Sequence, residues 1–306
     1  MKFVCYKEFD DPLEPSYPGV LYKNKILPLA RLVSVAEAFH PRGVTVPTDI
    51  NKVLEQLPFY ATLVKELEKN KTIDLIWQEV GVTLTAPLPR PSRILAIGRN
   101  YAEHAAEMGN EPPSEPIVFQ KASSSIIAHN QPIVLPPHAG RIDFEGELAV
   151  VLGAGGRNVP EREAMSLVAG YTLINDVTAR DEQKRAIARS LPWFLSKSYD
   201  TFGPLGPCIV STDEIKDPHA LTLTVSVNDE VKQQASTGDM LFPIPKLIAY
   251  LSERFALEPG DVIATGTPPG VGPLHAGDIV QVHISEIGTL SSPVIGEDDL
   301  PGSPED

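Results

Sequence analysis

Asp143-Phe144-Glu145-Gly146-Glu147-Leu148-Ala149-Val150-Val151-Leu152 joins three acidic residues directly to an apolar run. Side chains on a strand alternate between faces, so a strand here puts Glu145 and Glu147 on one face, about 7 Å apart along the backbone. Two carboxylates on one face repel each other unless something positive sits between them. A second buried-looking run, Gly170-Tyr171-Thr172-Leu173-Ile174-Asn175, ends in Asp176 and supplies a third acid. Oxygen-only ligation by three carboxylates suits Mg2+, Mn2+ or Ca2+ better than Zn2+. Glu-x-Glu pairs also occur on ordinary solvated strand faces, so the spacing alone leaves both readings open.

Outward from this stretch the pattern is mostly strand. Leu221-Thr222-Leu223-Thr224-Val225-Ser226-Val227 alternates and ends in the turn pair Asn228-Asp229, which predicts a half-exposed hairpin. Further strands are expected at Asp261-Val262-Ile263-Ala264, Ile279-Val280-Gln281-Val282-His283-Ile284 and Gly288-Thr289-Leu290. Helical periodicity is confined to a few places, among them residues 161–169 and 244–255. The elements do not repeat as strand–helix units, which argues against a doubly wound sheet.

Toward the N-terminus, Gly19-Val20-Leu21-Tyr22, Lys23-Asn24 and Lys25-Ile26-Leu27 read as a hairpin, followed by helical patterns at residues 32–39 and 61–69. Ala86-Pro87-Leu88-Pro89-Arg90-Pro91 then interrupts both helix and sheet. The expected organisation is a small N-terminal module with its linker at 1–90, a catalytic domain at 91–296 and an acidic, mobile tail at 297–306.

A chain of 306 residues with 42% hydrophobic residues can bury a large core. The formal net charge of -14, with no basic block, argues against a nucleic-acid partner. Cys5 and Cys208 lie far apart without metal-ligand spacing, so no disulfide framework is expected. The sequence has neither a long apolar leader after Met1 nor an 18-residue apolar run, and a cytoplasmic protein with no membrane partner is the expectation.

Several residues beyond the acids can carry chemistry. Asn100 can cap a short helix from Tyr101 to Met108, closed by Gly109. On that helix His104 and Glu107 share a face, where the carboxylate can orient the imidazole and raise its basicity; such pairs are also common on exposed helices. Lys197, flanked by Trp193 and Phe202, can offset negative charge developing on a bound oxygen. Neither Thr265-Gly266-Thr267-Pro268-Pro269-Gly270-Val271-Gly272 nor Gly153-Ala154-Gly155-Gly156 matches a nucleotide cradle; the latter reads as a hairpin turn. No Gly-x-Ser-x-Gly elbow is present, and no organic cofactor is expected.

Taken in order, Gly98-Arg99-Asn100-Tyr101 with His104 and Glu107, Glu145-Gly146-Glu147, Asp176-Val177-Thr178-Ala179-Arg180-Asp181, Lys197-Ser198-Tyr199-Asp200-Thr201-Phe202-Gly203-Pro204 and Thr265-Gly266-Thr267-Pro268 form a set. This set, spanning about residues 92 to 292, resembles the fumarylacetoacetate hydrolase family. The resemblance implies an α+β, mostly β fold: a mixed β-sandwich roll catalytic domain with a small N-terminal α/β module, assembled as a homodimer. It further implies Glu145, Glu147 and Asp176 as ligands of Mg2+ or Mn2+, with Ca2+ an alternative. Lys197 then matches the active-site lysine and His104 with Glu107 the water-activating dyad, while Arg180, Gln183, Thr267 and Lys121 match substrate-contacting positions. Leu191-Pro192-Trp193 looks like the branch of acylpyruvate hydrolases and oxaloacetate decarboxylases.

The implied substrates are 2-oxo acids or 2-hydroxy-dienoic acids. Hydrolysis of the C–C bond of an acylpyruvate through a metal-stabilised enolate ranks first, because a complete dyad is superfluous for decarboxylation. Oxaloacetate decarboxylase or 2-hydroxyhepta-2,4-diene-1,7-dioate isomerase/decarboxylase is the alternative, and a non-catalytic ligand-binding protein of the same fold comes third.

Overall fold

Every residue of the strand Gly146–Leu152 is buried, because the strand is central and both of its faces are covered. Leu148, Val150 and Leu152 enter one hydrophobic core, and Ala149 and Val151 enter a second. The same period-two division recurs in neighbouring strands of the main sheet, where Leu95 and Ile97 enter the first core and Ile94 and Ala96 the second. The computed structural model describes residues 1–8, 15–76 and 81–299. Within them, an 11-stranded sheet runs in the order Lys25–Pro28, Tyr17–Tyr22, Lys2–Lys7, Gly203–Ser211, Val168–Asn175, Gly146–Leu152, Asp261–Ala264, Arg93–Gly98 and Ile117–Lys121, with two short strands off this path.

A five-stranded sheet, Glu230–Ser236, Thr222–Val227, Ile279–Ile284, Gly288–Gly296 and Ile133–Leu135, packs on the first core through residues such as Val225, Val282 and Leu290. The helices Leu29–Phe39 and Leu57–Lys69 supply Leu32, Leu57 and Tyr60 to the second core. The result is the expected α+β, mostly β arrangement. Alternating apolar residues made it predictable, since each strand face must be buried against something.

The N-terminal hairpin forms as Tyr17–Tyr22 and Lys25–Pro28, with Lys23 and Asn24 at φ 49° and 63°, as a tight two-residue turn requires. Its neighbour Lys2–Lys7 pairs antiparallel with Gly203–Ser211, so the first strands extend the main sheet. The expected boundary near residue 90 falls in an irregular stretch in which Ala86 and Leu88 are buried. Glu297–Asp299 forms a 3-10 turn, and the remainder of the expected tail lies outside the described residues.

Three local expectations need correction. The helix expected over 161–169 stops at Ala164, passes through a 3-10 turn at Met165–Leu167, and gives way to the strand Val168–Asn175, whose pairing outweighs local periodicity. Gly153–Gly156 is not a tight hairpin turn: residues 153–167 form a long connection that contains the short helix Glu161–Ala164. The acidic stretch is not one strand, since Ile142–Phe144 belongs to a three-stranded sheet with Thr178–Ala179 and Gly272–Pro273, and the chain changes sheet at Glu145.

Candidate metal centre and active site

The change of sheet at Glu145 and the end of the strand Val168–Asn175 lie side by side. Asp176 N–H donates to Glu145 C=O at 2.8 Å, and Glu145 N–H donates to Asn175 Oδ1 at 2.9 Å. Glu145, Glu147 and Asp176 are all buried, and one carboxylate oxygen from each lies within 4.8 Å of the others. Gly146 makes this placement possible. A Cβ there would come within 2.3 Å of Val225 Cγ2, so the residue between the two glutamates must lack a side chain for the five-stranded sheet to approach.

Buried carboxylates require compensation. Lys197 Nζ lies 2.7 Å from Glu145 Oε2 and 2.5 Å from Asp176 Oδ2. Lys121 Nζ lies 2.8 Å from Asp176 Oδ1 and donates to the carbonyl of Lys197. Arg180 donates from Nε to Asp143 Oδ2 at 2.8 Å, from Nη1 to Gln183 Oε1 at 2.5 Å, and from Nη2 to Glu145 Oε1. Burial on its own would raise Glu145, but Lys197 and Arg180 outweigh it and hold that carboxyl well below the usual range. Burial lowers Lys121, whereas at Lys197 it is overcome by Asp176 and Glu145, which raise the ammonium.

Glu147 differs from the other acids. Gly266 N–H reaches its Oε2 at 2.8 Å, yet no ion pair to Glu147 exists among the described residues. Burial, together with Asp176 and Glu145, therefore pushes its carboxyl well above the usual value. A buried carboxylate lacking a cation, beside two more within 4.8 Å, fits a divalent ion by donor chemistry.

The helix carrying His104 is shorter than expected, Ala102–Glu107, with Tyr101 at its N-cap position. Asn100 is not the cap. Its side chain instead donates to Thr265 C=O at 2.7 Å and Phe242 C=O at 3.1 Å and accepts from Phe242 N–H at 2.8 Å, pinning the loop to two distant segments. His104 Nδ1 stands 3.1 Å from Glu107 Oε2, while Glu107 Oε1 accepts from Gly270 N–H at 3.0 Å.

One pocket gathers Arg99, His104, Glu145, Glu147, Asp176, Arg180, Gln183, Lys197 and Thr267. Lys121 does not line it and stands behind the carboxylates, its charge directed at Asp176. Thr267 Oγ1 donates to Gly146 C=O at 3.0 Å and accepts from Gln233 Nε2 at 2.9 Å. Sequence reasoning missed Gln233, Asn175 and Asp143 as supports. Asp143 and Asn175 stand in the two stretches that carry the acids, whereas Gln233 sits on an exposed-looking strand with no motif. Cys5 and Cys208 are buried and free. Among the described residues no helix is long and apolar enough to cross a membrane.

The family model described as fumarylacetoacetate (FAA) hydrolase C-terminal matches residues 93–295. The mitochondrial oxaloacetate tautomerase FAHD2A of Homo sapiens is 43% identical over 221 residues, covering 70% of this chain and 70% of that protein. The structure of maleylpyruvate hydrolase from Sphingobium sp. SYK-6, in complex with manganese (II) ion and pyruvate, is 29% identical with a TM-score of 0.76, covering 97% of this chain and 99% of that one. A 2-hydroxyhepta-2,4-diene-1,7-dioate isomerase from Mycobacterium marinum is 32% identical with a TM-score of 0.71, over 97% of this chain and 99% of that one.

Proposed function

This chain belongs to the fumarylacetoacetate hydrolase family, and on that premise we propose that it is a divalent-metal-dependent enzyme moving a proton at the carbon beside the oxo group of a short 2-oxo acid. The observation carrying this reading is His104, paired with Glu107, on the same pocket as the three carboxylates. A Mg2+ or Mn2+ ion held by Glu145, Glu147 and Asp176 would supply Lewis-acid polarisation of the oxo and carboxylate oxygens. With Nδ1–H donating to the Glu107 carboxylate, His104 would present Nε2 as the base. Arg180 keeps two N–H bonds and Lys197 one after the contacts above, and these can donate to the substrate carboxylate and to the oxygen on which negative charge develops.

Keto–enol exchange of the oxaloacetate kind is the first reading, supported by the 43% identity to an oxaloacetate tautomerase. Acylpyruvate hydrolysis is the second, supported by the likeness to maleylpyruvate hydrolase over 97% of this chain; there His104 would take its proton from water. On the sequence alone hydrolysis ranks first because decarboxylation needs no base. Proton transfer at carbon needs the same base as hydrolysis, so the dyad serves both.

The test follows enol-oxaloacetate decay and acetylpyruvate cleavage with Mg2+ and after EDTA treatment. Wild type should accelerate one or both only with metal, and His104→Ala should lose about 10²- to 10⁴-fold of that rate while still binding Mn2+. Turnover indifferent to EDTA, or undiminished in His104→Ala, would sink the reading.

A further inference from the structure

The cations on the pocket wall are not equally committed. Arg180 and Lys197 are neutralised by carboxylates, and His104 faces Glu107. Arg99 lines the same pocket, and among the described residues its guanidinium makes no hydrogen bond or ion pair. It stands over the ring of Trp193, whose centroid lies 5.7 Å away. Partial burial pushes the guanidinium pKa down, and no nearby carboxylate raises it. In a chain of net charge -14 an unpaired, partly desolvated arginine beside an acidic centre is a cation held for something else.

Its placement is enforced. Arg99 adopts φ 56°, a left-handed conformation that non-glycine residues rarely take. The next residue, Asn100, holds that geometry with its three side-chain hydrogen bonds. From the carboxylates outward the wall then runs cation, ring, ring, cation. Lys197 Nζ stands 5.0 Å from the Phe119 ring, Phe119 and Trp193 are 5.3 Å apart, and Arg99 lies beyond. An apolar middle between two positive ends matches a ligand with a carbon chain between two anionic ends.

We propose that Arg99 binds the distal carboxylate of a dicarboxylic 2-oxo acid whose oxo-acid end sits at Glu145, Glu147 and Asp176. This rests on the 2-oxo acid reading above and narrows it, since monocarboxylic acylpyruvates leave Arg99 unpaired.

The experiment is titration calorimetry on Mn2+-loaded protein with 2-oxoglutarate and 2-oxopentanoate, two unreactive oxo acids that differ only in the terminal carboxylate. Wild type should bind 2-oxoglutarate at least about tenfold more tightly at low ionic strength, the scale of one charge-assisted contact. Arg99→Met keeps an apolar contact for Trp193 and should erase that preference by weakening 2-oxoglutarate, and Arg99→Lys should restore part of it. Equal affinities in wild type, or equal losses for both acids in Arg99→Met, overturn the assignment while leaving the 2-oxo acid reading intact. Failure of both acids to bind wild type overturns that reading and the Arg99 assignment with it.

Discussion

At the residue scale, the three acids are chemically alike and energetically different. Glu147 has no cation beside it, and its raised pKa means that the folded apo protein resists ionising it. Stability from a neutral Glu147 is full below the ordinary value of 4.5 and is lost as pH rises toward the folded pKa. Glu147→Gln should therefore hold or raise the apo melting temperature at pH 7 while abolishing tight Mn2+ binding, checked by calorimetry with and without EDTA. Glu145 carries the opposite sign: its depressed pKa contributes stability above 4.5 that disappears as pH falls through the folded value. Glu145→Gln leaves Lys197 and Arg180 short of an anion and should lower the apo melting temperature. Lys197→Met is expected to destabilise the apo protein by about 3–5 kcal/mol, because Glu145 and Asp176 lose their shared ammonium. Its kcat should also fall about 10²-fold or more, and an unchanged kcat would make Lys197 structural only.

At the element scale, the site depends on how closely two sheets approach. Gly146 is the contact point, and Ala there would place a Cβ 2.3 Å from Val225 Cγ2 and 3.0 Å from Val282 Cγ1. Overpacking of this kind costs about 1–3 kcal/mol. Because the displaced strand carries Glu147, Gly146→Ala should weaken Mn2+ as well as stability, and a variant losing stability with unchanged metal affinity would show that the strand adapts elsewhere. Gln233 ties the same sheets together, accepting from Gly146 N–H at 3.1 Å and donating to Pro268 C=O at 2.7 Å. Gln233→Ala leaves these buried groups unsatisfied, an expected loss of about 1–3 kcal/mol in denaturant unfolding.

At the scale of the whole molecule, metal binding and folding are linked. A ligand at a hundred times its Kd stabilises the bound fold by about 2.7 kcal/mol. Glu147 must give up its proton to bind, so the Mn2+-induced rise in melting temperature should grow as pH increases from acid toward neutrality and shrink in Glu147→Gln. Melting curves across pH with Mn2+ and with EDTA measure both slopes; parallel slopes would show that Glu147 is ionised before metal arrives.

The sequence by itself determined the mostly β architecture, because alternation at residues such as Leu148, Val150 and Leu152 can be satisfied only between covered sheet faces. It also determined the candidate acids, the dyad and the lysine, since their residue types in that order carry the family resemblance. Only the tertiary structure decided which carboxylate lacks a cation, where the acidic stretch changes sheet, and that Asn100 braces rather than caps. It alone left Arg99 unpaired on the wall. Charge balance and hydrogen-bond satisfaction depend on side chains brought together from positions as distant as Asn100 and Phe242, or Gly146 and Gln233. Local periodicity records only which face a residue occupies, whereas the neighbours across that face are set by how the sheets pack.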